Sequence, residues 1–231
     1  VKPISISLLP KEIKKIENTK MRKKLFIQII LPLVIKENNN IRLDRRKLFS
    51  IINKSNNTTS EKKWLKRKFK QYGVQKNDLS TLKVRMDEIP VSIAIAQAAK
   101  ETGWGVSRFA QEGNALFGQW TWSGDGIKPA AAEDDTSHKV MRFKVLQASV
   151  KAYHRNLNTH SSYREFRRAR AQSRDEEKAL DSLILSEHLD KYAETGKAYV
   201  KILQQIIKQN QLTDFDDAKL LPTSIELESL I

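Results

Sequence analysis

The sequence predicts an α+β fold that is predominantly helical, with a small β-hairpin lobe and an N-terminal helical extension. Three observations carry this expectation. Apolar residues recur at helical spacing near both ends of the chain, in Leu25, Phe26, Ile29, Ile30, Leu33 and Val34 and again in Tyr199, Ile202, Leu203 and Ile206. Two short stretches, Gln119-Trp-Thr-Trp122 and Lys139-Val-Met-Arg-Phe-Lys144, alternate in the manner of strands. Between them runs a polar loop from Ser123-Gly-Asp-Gly126 to His138, which gives the pair the form of a hairpin inserted between helices. At 231 residues the chain can bury a core in one domain, or in one domain plus an extension.

The elements follow in order. Met21 to Asn38 reads as a helix with Pro32 as a kink or break. After Asn39 to Asp44, a second stripe of Leu48, Ile51 and Ile52 marks Arg45 to Asn53. Asn56 to Ser60 is a turn whose Ser60 can cap a helix from Glu61 to Tyr72, stopped by Gly73. On that helix Trp64, Leu65 and Phe69 share a face amid Lys62, Lys63, Lys66, Arg67 and Lys68. This is the pattern of core contacts on an amphipathic helix more than of a base-stacking platform. After Pro90 the run Val91 to Thr102 is apolar enough for a buried helix, ended by Gly103-Trp-Gly105. A short helix near Val106 to Gln111 leads into Gly113-Asn-Ala-Leu-Phe-Gly118. Beyond the lobe, helices are expected over Leu146 to Asn158, Tyr163 to Ala171, Glu176 to Leu189 and Gly196 to Gln209, then a loosely docked tail from Leu212. The organisation expected is a basic helical region over 1–88, a main domain over 89–211 and a tail over 212–231.

Composition narrows the function. No apolar run is long enough to span a membrane; the densest, Leu25 to Ile35, is interrupted by Gln28 and Pro32. Without cysteine there is neither a disulfide framework nor a thiolate metal site. His138, His154, His160 and His188 lack metal-ligand spacing, and no phosphate-binding Gly loop or nucleophilic Ser or Cys motif is present, so neither metal nor cofactor is expected. The net charge of +15 is confined to one region: residues 1–88 hold 23 Lys and Arg against 8 Asp and Glu, and residues 89–231 hold 19 of each. Such an excess either attracts an anionic polymer or solvates helix faces.

Glu101 stands out. It ends the apolar run beginning at Val91, in what reads as the last turn of a buried helix. Removal from water and the negative end of the helix dipole both disfavour the ionised carboxylate and raise its pKa. A carboxylic acid protonated near neutrality can serve as a general acid, protonating a departing sugar oxygen. A surface Glu at a fraying helix end is the alternative, and the flanking sequence decides against it.

The segments Ala96-Gln-Ala-Ala-Lys-Glu-Thr-Gly-Trp-Gly105, Ser107-Arg-Phe109 and Gly113-Asn-Ala-Leu-Phe-Gly118 closely resemble the signature of bacterial peptidoglycan β-N-acetylglucosaminidases, glycoside hydrolase family 73. A wider match to the family's Bax-type branch covers Leu31-Pro-Leu-Val34, Phe117-Gly-Gln-Trp120, Arg142-Phe143, Ser149-Val-Lys-Ala-Tyr153, Asn156-Leu-Asn-Thr-His160, Tyr163-Arg-Glu-Phe-Arg167 and Tyr192-Ala-Glu-Thr-Gly-Lys-Ala-Tyr199. The resemblance implies a lysozyme-like catalytic domain over 89–211, Glu101 as the acid, and Tyr163 lining the active site to support the N-acetyl group or the charge developing at C1. Asn114 and Phe117 belong to its motif and are expected at the substrate.

Trp104, Trp120 and Trp122 follow Glu101 closely, a clustering that suits stacking on pyranose rings, although Trp104 inside its Gly-Trp-Gly turn equally suits packing. Strand alternation puts Trp120 and Trp122 on one face, in either the cleft or the core, and Gln119 on the other, where it can hydrogen-bond an acetamide or face solvent. Hydrolysis needs a further group: a base for water, a nucleophile, or the substrate's own acetamide. Glu133 and Asp135, with Asp134 between them, are the loop candidates; Lys139 stands where Bax-type chains are expected to hold an acid, which leaves this choice open. The expected activity is hydrolysis of the β-1,4 bond after N-acetylglucosamine in peptidoglycan glycan strands, at the cell envelope, periplasmic or exported, with the leader absent from a chain that starts at Val1. Anionic envelope polymers are expected partners of residues 1–88, and nucleic acid is not. The alternatives are a lytic transglycosylase on the same fold and a non-catalytic basic module binding an anionic polymer or nucleic acid.

Overall fold

A computed structural model describes residues 1–3, 6–121, 126–127 and 139–222. The described chain is mostly helical, with one small antiparallel sheet, as the sequence predicts. Its helices are α1 (Thr19–Ile52), α2 (Thr59–Gln71), α3 (Leu79–Arg85), α4 (Val91–Thr102) and α5 (Arg108–Gly113), then α6 (Leu146–Thr159), α7 (Arg164–Asp175), α8 (Ser182–Ser186) and α9 (Lys197–Gln209). The sheet lies between α5 and α6 and has three short strands, β1 (Trp120–Thr121), β2 (Gly126–Ile127) and β3 (Lys139–Met141), in the order β1-β3-β2. Trp120 pairs with Val140, and Ile127 pairs with Val140 from the other side. The expected two-strand hairpin therefore gains a third strand, which the glycines beside Ile127 had marked as loop.

The described residues fall into two compact units. One comprises Val1–Lys36, Val91–Tyr153 and Ile206–Ile231; the other comprises Glu37–Pro90 and His154–Gln205. In the first, the start of α1 buries Phe26, Ile29, Ile30, Leu33 and Val34, and α4 buries ten of its twelve residues. Four alanines on α4 keep its girth small, so neighbouring backbone comes close. The N-terminus of α4 is fastened by Asp216, whose carboxylate accepts from the Ser92 N–H and hydroxyl at 2.8 Å each. A negative charge there also meets the positive end of the helix dipole. With Leu212 fully buried as well, the stretch from Leu212 to Asp216 is docked where a loose tail was expected.

The second unit has an apolar cluster of Ile41, Leu48, Ile51, Trp64, Phe69, Tyr72, Leu82 and Met86. Beside it stands a buried ionic group. Asp87 is 2 % exposed and accepts from Arg174 Nε and Nη2 at 3.1 Å each, with Arg170 and Arg45 at 3.8 Å. Burial pushes the Asp87 carboxyl up, but the surrounding guanidiniums outweigh burial and hold it below the usual carboxylate range. Arg170, wholly buried, is lowered to about 10 by desolvation against the pull of Asp87, and donates to the carbonyls of Val84, Asp87 and Glu88.

Local structure departs from expectation in three places, each for an identifiable reason. The two N-terminal helices are the single helix α1, 34 residues long with Pro32 inside it. Asn38, near the expected break, spends its amide on Ile89, donating to its carbonyl at 2.7 Å and accepting from its N–H at 3.2 Å, instead of competing for local backbone. Helix α2 is capped by Thr58, not Ser60: Thr58 Oγ1 accepts from the Glu61 N–H while Glu61 accepts from the Thr58 N–H, a reciprocal box. The helix expected over Glu176 to Leu189 begins only at Ser182, because left-handed Glu177 (φ 53°) ends α7 and Asp181 caps α8. No helix among the described residues is long and apolar enough to cross a membrane.

Candidate active site

Glu101 lies in the last turn of α4, half-buried on a helix that is otherwise almost wholly inside. That turn is closed tightly. Thr102 donates its hydroxyl to the Ala98 carbonyl at 2.6 Å and accepts from the Gly105 N–H at 2.9 Å, while the Trp104 N–H reaches the Ala99 carbonyl at 3.0 Å. Gly103, Trp104 and Gly105 are all left-handed, at φ 57°, 61° and 88°. A bulky residue held there costs on the order of 1–3 kcal/mol. Space is tight at Gly105 as well, since a Cβ would stand 3.1 Å from the side chains of both Ile13 and Phe26.

Trp104 packs edge-to-face on Phe26, ring centres 5.7 Å apart at 77°, with Lys23 Nζ 5.0 Å from its ring centre. These contacts give it a place in the packing of α4 on α1, one of the two roles its position allowed.

The loop from Gly113 to Gln119 comes directly against the acid. Gly118 is left-handed (φ 65°), and a Cβ on it would stand 2.6 Å from Glu101 Oε2. Trp120, two residues on, is 46 % exposed, a large aromatic surface open to solvent. Gln119 is half-buried; it donates through Nε2 to the Ala152 carbonyl at 3.3 Å and accepts through its own carbonyl from the Met141 N–H at 2.8 Å. Its Oε1 is buried and makes no hydrogen bond among the described residues.

Two residues expected at the substrate are instead built into the protein. Phe117 is 1 % exposed, its ring stacked 3.9 Å from that of Tyr153. Asn114, left-handed at φ 48°, ends α5 and ties two segments together, accepting from the Leu9 N–H at 3.2 Å and donating to the Phe143 carbonyl at 3.0 Å. Both side chains are buried and tie the loop to its neighbours.

Sequence reasoning missed the floor beneath. Gln97, one turn before Glu101 on α4, is fully buried and accepts a 2.5 Å hydrogen bond from the Tyr153 hydroxyl. The signal available was a single amide inside an Ala and Ile run, four residues before the acid and so on its face.

Tyr163 belongs to the second unit. It is 6 % exposed in a 3-10 turn, Ser161–Tyr163, immediately before α7, with its ring centre 5.8 Å from His160 and 5.9 Å from Tyr192, which in turn stacks on Tyr199 at 5.6 Å. Trp122, Glu133, Asp134 and Asp135 lie outside the described residues.

A predominantly helical chain with a small sheet, whose buried helix α4 carries a carboxylate in its last turn against the loop that leads to an exposed tryptophan, has the makings of a carbohydrate-cleaving enzyme. Residues 79–212 match the Glucosaminidase family, described as mannosyl-glycoprotein endo-beta-N-acetylglucosaminidase. Protein bax of Escherichia coli (strain K12) is 32 % identical over 211 residues, a match that covers 89 % of this chain and 75 % of that protein. The crystal structure of the catalytic domain of the autolysin Auto from Listeria monocytogenes is similar over 75 % of this chain and 97 % of that domain, at 19 % identity and a TM-score of 0.43. The chain belongs to the glucosaminidase family and is a glycosidase.

Proposed function

We propose that the protein hydrolyses the β-1,4 bond after N-acetylglucosamine in peptidoglycan glycan strands, outside the cytoplasm, with Glu101 as the general acid. The observation that carries this is the setting of Glu101: a half-buried carboxylate at the end of the buried helix α4, lodged against the loop that leads to exposed Trp120. A sugar stacked on Trp120 would bring its glycosidic oxygen towards an acid whose backbone is held by the Thr102 and Trp104 hydrogen bonds. Proton transfer from Glu101 to that oxygen lets the bond to C1 break, leaving positive charge on the sugar ring. Water then adds at C1, activated by Glu133 or Asp135 or after attack by the acetamide of the same sugar. Tyr163 is assigned to supporting the N-acetyl group or the charge at C1. The excess of basic residues over 1–88 is assigned to attraction of anionic envelope polymer, which weakens as salt rises.

The test is mass spectrometry of peptidoglycan digests made with the parent protein and with Glu101→Gln. Reducing N-acetylglucosamine ends, absent from the Glu101→Gln digest, are expected. Anhydro-muramyl ends would make the protein a lytic transglycosylase. Cleavage by Glu101→Gln at the parent rate would remove Glu101 from the chemistry.

A further inference from the structure

We propose that Gly118 is a positioning residue for the acid: the absence of a side chain there is what lets the Glu101 carboxylate occupy its place at the end of α4. The inference rests on the reading of Glu101 as the general acid. A Cβ at position 118 would stand 2.6 Å from Glu101 Oε2, 3.3 Å from its Cδ and 3.6 Å from its Cγ, and the first distance is below any normal contact. Backbone conformation is not the whole reason for glycine here. Asn114, four residues earlier in the same loop, is also left-handed and carries a side chain. What distinguishes Gly118 is the carboxylate against it.

Which partner would yield decides the consequence. The loop is anchored on both sides of Gly118. The Leu116 N–H donates to Ser149 Oγ at 3.1 Å, the buried Phe117 ring stacks on Tyr153, and Gln119 is tied by its carbonyl to Met141 and by its amide to Ala152. What a Cβ would meet is the far end of the half-buried Glu101 side chain, not backbone. A methyl group at 118 therefore moves the Glu101 carboxylate and leaves the loop in place. The acid survives and its aim changes, a loss that falls on the chemical step and not on substrate binding.

The experiment compares parent, Gly118→Ala and Glu101→Gln on soluble peptidoglycan fragments. It also measures melting of Gly118→Ala and Gly196→Ala, each alone and with Glu101→Ala. Gly196 is left-handed at φ 54°, with its nearest neighbour 3.9 Å from the added Cβ, so it reports the backbone cost without a collision. Expected are a fall in kcat of about 10²-fold with KM unchanged for Gly118→Ala, and a melting loss larger than that of Gly196→Ala. Once Glu101 is Ala, that excess should vanish. Parent kcat in Gly118→Ala, with Glu101→Gln inactive, overturns the inference alone, as does a melting loss unaltered by removing Glu101. Should Gly118→Ala fail to fold, recovery of folding in the double variant supports the collision and continued failure overturns it. Parent-rate cleavage by Glu101→Gln overturns the acid assignment, and the inference with it.

Discussion

The two units are held together in different ways. Around α4 the material is small and apolar: Ala94, Ala96, Ala98 and Ala99 are buried on the helix, and Gly105, Gly113 and Gly118 stand where a Cβ would meet Ile13, Phe26, Ile127 or Glu101. The second unit adds to its apolar cluster an ionic group in which buried Asp87 and Arg170 meet Arg45, Arg174 and Glu88, with the more exposed Arg42 on Glu88. Close backbone approach fixes positions to within a methyl group, as the proton donor proposed for Glu101 requires. An ion cluster is tolerant in geometry but sensitive to charge: removing one member strands the others in low dielectric. The unit carrying the acid should thus be vulnerable to volume, and the other to protonation.

The largest effect expected is on the acid itself. Glu101→Gln keeps the shape and loses the proton, so cleavage should fall by about 10²–10⁴-fold, with the melting temperature unmoved; a stability change as large as the activity change would mean that Glu101 is structural. Next comes Asp87→Ala, which takes from buried Arg170 its carboxylate and leaves Arg174 with Glu88 alone, and should cost roughly 3–5 kcal/mol, on the order of 10 °C in Tm, by calorimetry.

The same group sets a pH dependence. Because the folded-state pKa of Asp87 is depressed, its contribution is fully present above the usual aspartate value, about 3.9, and is lost as pH falls through the lower folded value. Acid melting curves of the parent should decline more steeply than those of Asp87→Asn; equal slopes would break the contrast between the units.

Tyr153→Phe probes the volume-sensitive side: it keeps the stack on Phe117 and removes the donor to Gln97, at about 1–3 kcal/mol for a stranded buried acceptor, read by chemical denaturation. Smallest is Thr58→Ala, which opens the cap of α2 for about 1 kcal/mol, with no change in kcat.

Much of this was legible beforehand. The helix Val91–Thr102 and the boundaries of α6 and α9 followed from apolar period and glycine stops, because those signals are local. The place of Glu101, a charge in the last turn of a buried run, is legible the same way. What the sequence hid was set by partners far along the chain. Asn38 reads as a helix breaker until Ile89 takes up its amide, and the third strand is two residues long beside a glycine. Gly118 reads as an ordinary turn glycine until Glu101 is brought against it. Phe117 and Asn114 sit in the motif, but the sequence does not show that both side chains are buried, since that depends on Tyr153, Leu9 and Phe143 elsewhere in the chain.

The hydrogen bonds of Asp216 join the chain near its described end to Ser92, 124 residues earlier, at the first turn of the helix that carries Glu101. Synthesis runs from the N-terminus, so residues 91–102 leave the ribosome long before their cap exists. Through that interval α4 lacks the group that neutralises its first turn, and a contact of such long range closes late in folding. A nascent or prematurely ended chain thus lacks a finished mount for its acid. The consequence is measurable: chains ended before residue 212 lack this cap and should lose activity.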